Sequence, residues 1–345
     1  MELTFRRFEL ELIHPWKIAR GSGTSTYSVL LLELRDATGV VGLGESAPTS
    51  HYGESVESGL AFLAKVDPQR LTFSDVPGSM RYLDSVSPGE MSAKCALNIA
   101  LLDGAARLAG QAMYDYLGLG FREQHHVTSF SIGIDTPEVI RQKVLAAQHY
   151  PVLKLKVGVP GDQENFAALR SVSPTKPVRV DANEGWKTKE EALSRLEWLA
   201  QDGHIQFVEQ PMPSATPAAD WQWLKARSPL PIFADESYHT AGDLSRVVDC
   251  FHGVNVKLVK SGGISAGFEA LSAARKAGLQ TMIGCMIESS ILISAAAHLA
   301  ELCDYLDVDG NLLIKNDPYL GVTARNGILS FADAPETLGL RVRAR

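Results

Sequence analysis

From about Val127 onward the chain alternates short apolar runs with amphipathic helical segments, and this rhythm restricts the fold more than any other feature. The runs are VTSFSI, PVLKLKV, PVRVDA, IQFVEQP, PIFADES, VNVKLVK, TMIGCMIE and YLDVDG. Strands separated by helix-length crossovers read as successive βα units of a parallel sheet. Boundary residues agree. Thr136 precedes Pro137 at a first helical position, Thr188 with Glu191 predicts a capping box, and two later helices stop at Gly203 and Gly278. Eight such strands predict a closed α/β barrel of the TIM type. A doubly wound open sheet is the competitor, but its glycine-rich GxGxxG turn is missing.

The first 120 or so residues have a different texture. FELELI, YSVLLLEL and GVVGLGE read as strands joined by the turn signals RGSGTST and RDATG, and SAKCALNIALLDGAARLAG reads as a helix. An α+β unit ahead of the barrel suits a chain of 345 residues, which is long for one domain. A net charge of −7 without a Lys/Arg run argues against a nucleic-acid partner. No apolar stretch is long enough to predict a membrane span. The opening MELTFRRFELELI alternates like a strand instead of presenting a signal-peptide core. Cys95, Cys250, Cys285 and Cys303 are scattered without a CxxC pair, as expected of reduced thiols in a cytoplasmic protein.

The segment PVLKLKVG places Lys154 and Lys156 two apart, on one face of a strand otherwise apolar enough to be buried. Burying one ammonium is costly without compensation, so two together point to a working site. Later strands also end in charge: Lys156, Asp181, Glu209, Asp235 and Lys257 follow one another at 25, 28, 26 and 22 residues, the length of one βα unit. In a barrel they gather at the carboxyl-terminal mouth, where such folds keep their active sites. A lone acid at a strand end is more often a helix cap or a solvated loop residue. Three in successive units, bracketed by lysines, demand a cation between them, and an all-oxygen set suits Mg²⁺ better than Zn²⁺. Lys260 falls off the strand face of Lys257 and is expected at the surface or in a loop.

This order of KxK, VDAN, VEQP, ADES and VKLVKSGG resembles the enolase superfamily in its muconate-lactonizing-enzyme-like branch, over nearly the whole chain. The resemblance implies a modified (β/α)7β barrel at 123–319, under an amino-terminal capping domain at 1–122 that includes GLGESAP (Glu45, Pro48). The tail 320–345, with NGILSFADAPETLGLRV, would return to that cap. It also implies one Mg²⁺ per subunit on Asp181, Glu209 and Asp235, and removal of a proton α to a carboxylate to give an enediolate. Lys156 matches the family's base. A lysine base must be neutral, and a second ammonium beside it would lower its pKa. Lys154 would neutralise and position the substrate carboxylate.

Lys257, four units on, would face Lys156 across the substrate. Opposed lysines fit 1,1-proton transfer, although cycloisomerases and dehydratases of the branch can keep both. Asp307 and Asp309 share a strand face in YLDVDG. They are either turn-formers before Gly310 or a clamp for a cationic group. The motif resembles the DxD of dipeptide epimerases, where it holds a free α-ammonium. The expectation is therefore a dipeptide epimerase of the L-Ala-D/L-Glu type, with a small-molecule dipeptide substrate and possible homo-oligomers. N-succinylamino acid racemase, o-succinylbenzoate synthase or muconate cycloisomerase chemistry is the alternative, and a non-catalytic binding barrel the third. By resemblance, Ser129 or Ser131 would offer a pocket hydroxyl, though either could be a neutral filler. Glu288 and Ser289 would line the substrate-side wall. Arg20, in the covering loop ARGSGTSTYS, is either a grip for an acidic second residue or a solvated hairpin residue.

Overall fold

A computed structural model describes residues 1–345 except Arg20 and Ser22. Three antiparallel strands open the chain, β1 (Glu2–Trp16), β2 (Thr24–Arg35) and β3 (Val41–Ser46), in the order β1-β2-β3. The buried helix Met91–Leu108 packs on β3. Glycines make that approach possible: a Cβ at Gly42 would lie 1.9 Å from the Ala100 carbonyl oxygen, and one at Gly44 2.0 Å from that of Ala96. Any side chain at either position would drive helix and sheet apart.

Eight parallel strands follow: β4 (Phe130–Ile132), β5 (Leu153–Lys156), β6 (Val178–Asp181), β7 (Ile205–Glu209), β8 (Ile232–Ala234), β9 (Gly253–Lys257), β10 (Gln280–Gly284) and β11 (Tyr305–Asp307). They pair in unbroken sequence order. The Ser129 N–H donates to the Leu306 carbonyl at 3.1 Å beside the parallel bridge Thr128↔Leu306, which brings the first strand against the last. This is the expected (β/α)7β barrel. After β11 no barrel helix forms. The chain makes a 3₁₀ turn, Gly310–Leu313, and meets β1 through the Leu12↔Ile314 bridge.

Inward positions alternate along each strand. Near the bottom, Phe207, Phe233 and Met282 form a small apolar plug with Tyr305. One step up, three of these strands lead to Glu209, Asp235 and Asp307 and β10 to Gly284, so the apolar plug sits directly beneath the polar mouth. Helix ends behave largely as read. Gly203 and Gly278 are left-handed just past their helices, and Thr188 accepts from the Glu191 N–H. The return half of the predicted box differs, because the Glu191 carboxylate takes the Lys187 N–H instead.

Buried polar side chains fix the amino-terminal layer on the barrel. Asn98 donates to Ser265 Oγ at 2.9 Å and accepts the Ser265 N–H at 3.1 Å. Asp103 accepts the N–H groups of Leu43 and Leu340, tying β3 to the carboxyl-terminal tail. All four cysteines are free thiols. Among the described residues no helix is long and apolar enough to cross a membrane.

One buried histidine predicts acid sensitivity. His298 is fully buried, its Nε2–H donates to the Leu340 carbonyl at 3.1 Å, and its ring stacks on Phe331. Burial depresses its pKa from 6.5 to about 3, and nearby Arg341 adds to the effect. A depressed folded-state pKa gives stability that is present above 6.5 and lost as pH falls toward 3. At pH 5 the loss is about 2 kcal/mol. Thermal unfolding of the wild type should therefore weaken more between pH 7 and 5 than that of His298→Gln, and equal slopes would refute this.

Candidate active site

The mouth is organised in register. Lys156 pairs with Asp181 and Asp181 with Glu209 across β5, β6 and β7, so the three stand in one row. Opposite them Lys257, Gly284 and Asp307 form a second row across β9, β10 and β11. Asp235 lies just past β8, two residues beyond Phe233, the partner of Glu209. Lys156 and Lys257 are thus four strands apart in an eight-stranded barrel, which places them across the mouth from each other. The three carboxylates occupy the strands between. Both lysines line one cavity beneath the amino-terminal layer, together with Asn183, Ser131, Asp307 and Asp309.

The side chains are buried and tightly paired. Lys154, 1% exposed, lies 2.6 Å from Asp307 Oδ2, 2.7 Å from Glu209 Oε2 and 3.1 Å from Asp181 Oδ2. Lys156 Nζ donates to Asp181 Oδ2 at 2.5 Å, and Lys257 Nζ to Asp235 Oδ2 at 2.8 Å. Burial alone would raise Asp181, but Lys156 and Lys154 hold it well below the usual carboxylate range. Asp235 is likewise held low, against burial, by Lys257 and Lys260. Glu209 goes the other way, raised by burial and by the charge of Asp181.

A cation fits this cluster. The carboxylate oxygens of Asp181, Glu209 and Asp235 lie within 4.8 Å of one another. Glu209 Oε2 is buried and, although close to the Lys154 ammonium, has no hydrogen bond. An all-carboxylate set is hard-cation chemistry. A second group, His51, Glu184 and Glu236, also has ligand-type atoms within 4.8 Å of one another, where the Thr49–Tyr52 turn meets the barrel.

Several residues stand apart from their sequence-based expectation. Lys260 is not at the surface. The one-turn helix Leu258–Ser261 begins immediately after β9 and swings it inward, where it is 3% exposed and donates to Asp235 Oδ1 at 2.6 Å. Two of the lysines are held firmly as ammonium groups by the carboxylates around them. Burial does favour neutral Lys154 and Lys257, but the carboxylates outweigh it and raise both well above the ordinary value. Ser289 is not on the cavity wall: it caps the helix Ser290–Ala297, and its N–H and hydroxyl hold Glu45 of the amino-terminal layer. Glu288 folds back onto the Met286 N–H at 2.9 Å, leaving Cys285, Met286 and Ile287 to face the cavity. Arg20 lies outside the described residues.

The two serines split. Ser129 lies deeper, donating to Asp307 Oδ1 at 2.6 Å, whereas Ser131 lines the cavity and gives its N–H to Asp309 Oδ2 at 2.6 Å. Asp307 is held low, against burial, by Lys154 and Lys156. Asp309 is pushed up to about 7 by burial and by the charge of Asp307.

Sequence reasoning missed Asn255 and Arg179. Asn255 donates to Glu209 Oε1 at 2.8 Å, and it has room because Gly284 has no side chain: a Cβ there would lie 2.7 Å from the carboxamide. Arg179, beneath Asp181, donates to the Leu306 carbonyl and to Gln206 Oε1. Each sits two residues before a charged strand end, and that period-2 signal could have found both.

The chain matches two family models, "Mandelate racemase / muconate lactonizing enzyme, N-terminal domain" over residues 2–118 and "Enolase C-terminal domain-like" over residues 138–316. It is 63% identical to an L-Ala-D/L-amino acid epimerase of Pedosphaera parvula, over 100% of both chains. It superposes on a substrate-liganded L-Ala-D/L-Glu epimerase from Bacillus subtilis with a TM-score of 0.92 and 27% identity, over 100% of this chain and 98% of that one. The dipeptide epimerase of Cytophaga hutchinsonii, complexed with Mg and D-Ala-L-Val, gives 0.91 and 27% over 99% and 95%.

Proposed function

This chain belongs to the mandelate racemase/muconate lactonizing enzyme family of the enolase superfamily, and from that premise we propose that it is a dipeptide epimerase acting on L-Ala-D/L-amino acid substrates. The observation that carries the reading is the order of charge around the mouth: a lysine, three carboxylates, an opposed lysine, then a DxD pair. Asp181, Glu209 and Asp235 hold one Mg²⁺ per subunit. When bound, the ion offsets the negative charge that builds on the substrate carboxylate as the α-proton leaves. Lys154 approaches that carboxylate from within the barrel. Lys156 takes or returns the α-proton on one face of the planar carbon, and Lys257 does so on the other.

Asp307 and Asp309 receive the free ammonium of the first residue. The raised pKa of Asp309 supports this assignment, because a second carboxylate beside Asp307 ionises readily only when a cation joins it. A succinylated amino acid or a muconate has no such cation to offer. We place the cap at 1–122, with 320–345 returning to it, and the barrel at 123–319, in a cytoplasmic enzyme.

The test is incubation of an L-Xaa-L-Xaa dipeptide library with Mg²⁺ in D₂O, read by mass. Deuterium entering dipeptides is expected. Exchange confined to N-succinyl amino acids would establish the racemase instead, and no exchange by folded protein would leave a binding barrel. Asp309→Asn should cost on the order of 10²-fold in kcat/KM for dipeptides, and unchanged turnover would remove the ammonium assignment. Asp307→Asn should lose at least as much, with part of the loss arising from Lys154.

A further inference from the structure

Two cavities share a wall. Trp16, Ser131 and Leu313 bound the active-site cavity, and the same three residues bound a second cavity of about 190 Å³ lined by Leu12, Phe130, Tyr150 and Leu312 among others. Trp16, the last residue of β1, lies on Gly133 just past β4. A Cβ at 133 would come within 3.1 Å of the indole Cε3 and 3.3 Å of Cζ3. Ser131 ties this wall to the DxD pair, since its N–H donates to Asp309 Oδ2 at 2.6 Å.

On a dipeptide the first side chain branches from the carbon that carries the ammonium. An ammonium held at Asp307 and Asp309 therefore brings that side chain up against the wall. A methyl group asks for little room there, whereas a branched or aromatic group reaching that wall would have to displace the indole. Behind the indole lies apolar space of the kind such a group would fill.

We infer that Trp16 is a specificity-determining residue: its indole closes off the apolar cavity and limits the substrate's first residue to a side chain the size of alanine's. The inference rests on the dipeptide epimerase reading above and goes beyond it in naming what selects the first residue. It also makes the cavity behind Trp16 a latent pocket for a larger apolar side chain.

The experiment compares kcat/KM for an L-Ala-L-Xaa dipeptide and its L-Leu-L-Xaa counterpart in wild type, Trp16→Ala and Trp16→Leu. A pocket of this kind discriminates single methylenes by about 10–200-fold. The wild type should therefore favour the alanyl substrate by about 100-fold or more. Trp16→Ala should shrink that ratio at least ~10-fold by raising leucyl turnover, with Trp16→Leu between the two. Ala147, 2% exposed, lines the second cavity. Adding Ala147→Phe to Trp16→Ala refills the space and should restore the preference, an outcome that general loosening of the site would not give. A ratio unmoved in both folded Trp16 variants overturns the inference, as does a wild type that already takes leucyl dipeptides equally well. Absence of exchange in any dipeptide by the wild type would instead defeat the epimerase reading itself.

Discussion

Lys156→Ala is expected to slow interconversion of L-Ala-L-Xaa and L-Ala-D-Xaa by about 10³-fold, and Lys257→Ala by a similar factor, while each variant still exchanges the α-proton of one diastereomer. The two ammonium groups stand on β5 and β9, across the mouth, each anchored to a different carboxylate: Lys156 to Asp181 at 2.5 Å and Lys257 to Asp235 at 2.8 Å. Neither can reach around a planar intermediate to the other's face. Epimerisation needs both, because one must remove the proton and the other must deliver it. Exchange needs only one. Each diastereomer incubated separately in D₂O, with the α-hydrogen followed by proton NMR, should therefore show complementary patterns. The isomer that keeps exchanging in Lys156→Ala should be the one that stops in Lys257→Ala. If both variants lose exchange with both diastereomers, or both retain it with the same one, the two-face arrangement is wrong.

The pairing that anchors these lysines also bears on how they act. Lys257 is held protonated by Asp235 and Glu209 against its own burial. An ammonium in that state cannot accept a proton. A divalent ion held by Asp181, Glu209 and Asp235 would draw on that same carboxylate charge and so favour the neutral lysine that a base requires.

Much of this site was legible in the sequence for a geometric reason. Barrel strands repeat at the length of one βα unit, and side chains two apart on a strand share a face. Charged strand ends at 25, 28, 26 and 22 residues therefore had to converge. What escaped depended on how the chain turns after the strands end. Strand periodicity continued past Lys257 points Lys260 outward, but a helical turn begins there. A strand running through the whole of TMIGCMIE would carry Glu288 and Ser289 to the wall. In fact β10 ends at Gly284 and the backbone has already turned toward the helix that Ser289 caps. The role of Gly284 is invisible in sequence for another reason: the Asn255 carboxamide that needs its missing side chain comes from the neighbouring strand. Trp16 belongs to a different layer altogether, and only the folding of β1 over the barrel sets it beside Ser131.

Removal of divalent cations should abolish turnover, and returning Mg²⁺ should restore it. The magnitude follows from charge: if the ion supplies several kcal/mol of stabilisation to the developing carboxylate charge, its loss costs at least about 10³-fold. Glu209→Gln separates this role from mere folding, because activity and stability should move in opposite directions. Three buried carboxylates within 4.8 Å repel one another, and Glu209 is the one whose ionisation that environment opposes. Replacing it with the neutral isostere removes repulsion, and Asn255 can reorient its carboxamide to keep the contact made at 2.8 Å. Without metal the variant should unfold at a temperature equal to or above that of the wild type. With Mg²⁺ at a hundred times its Kd the wild type should gain about 2.7 kcal/mol, seen as a rise in Tm, whereas Glu209→Gln should gain little. A Glu209→Gln protein still stabilised by Mg²⁺ to the wild-type extent would place the ion elsewhere, with the His51, Glu184 and Glu236 group the next location to examine by the same titration.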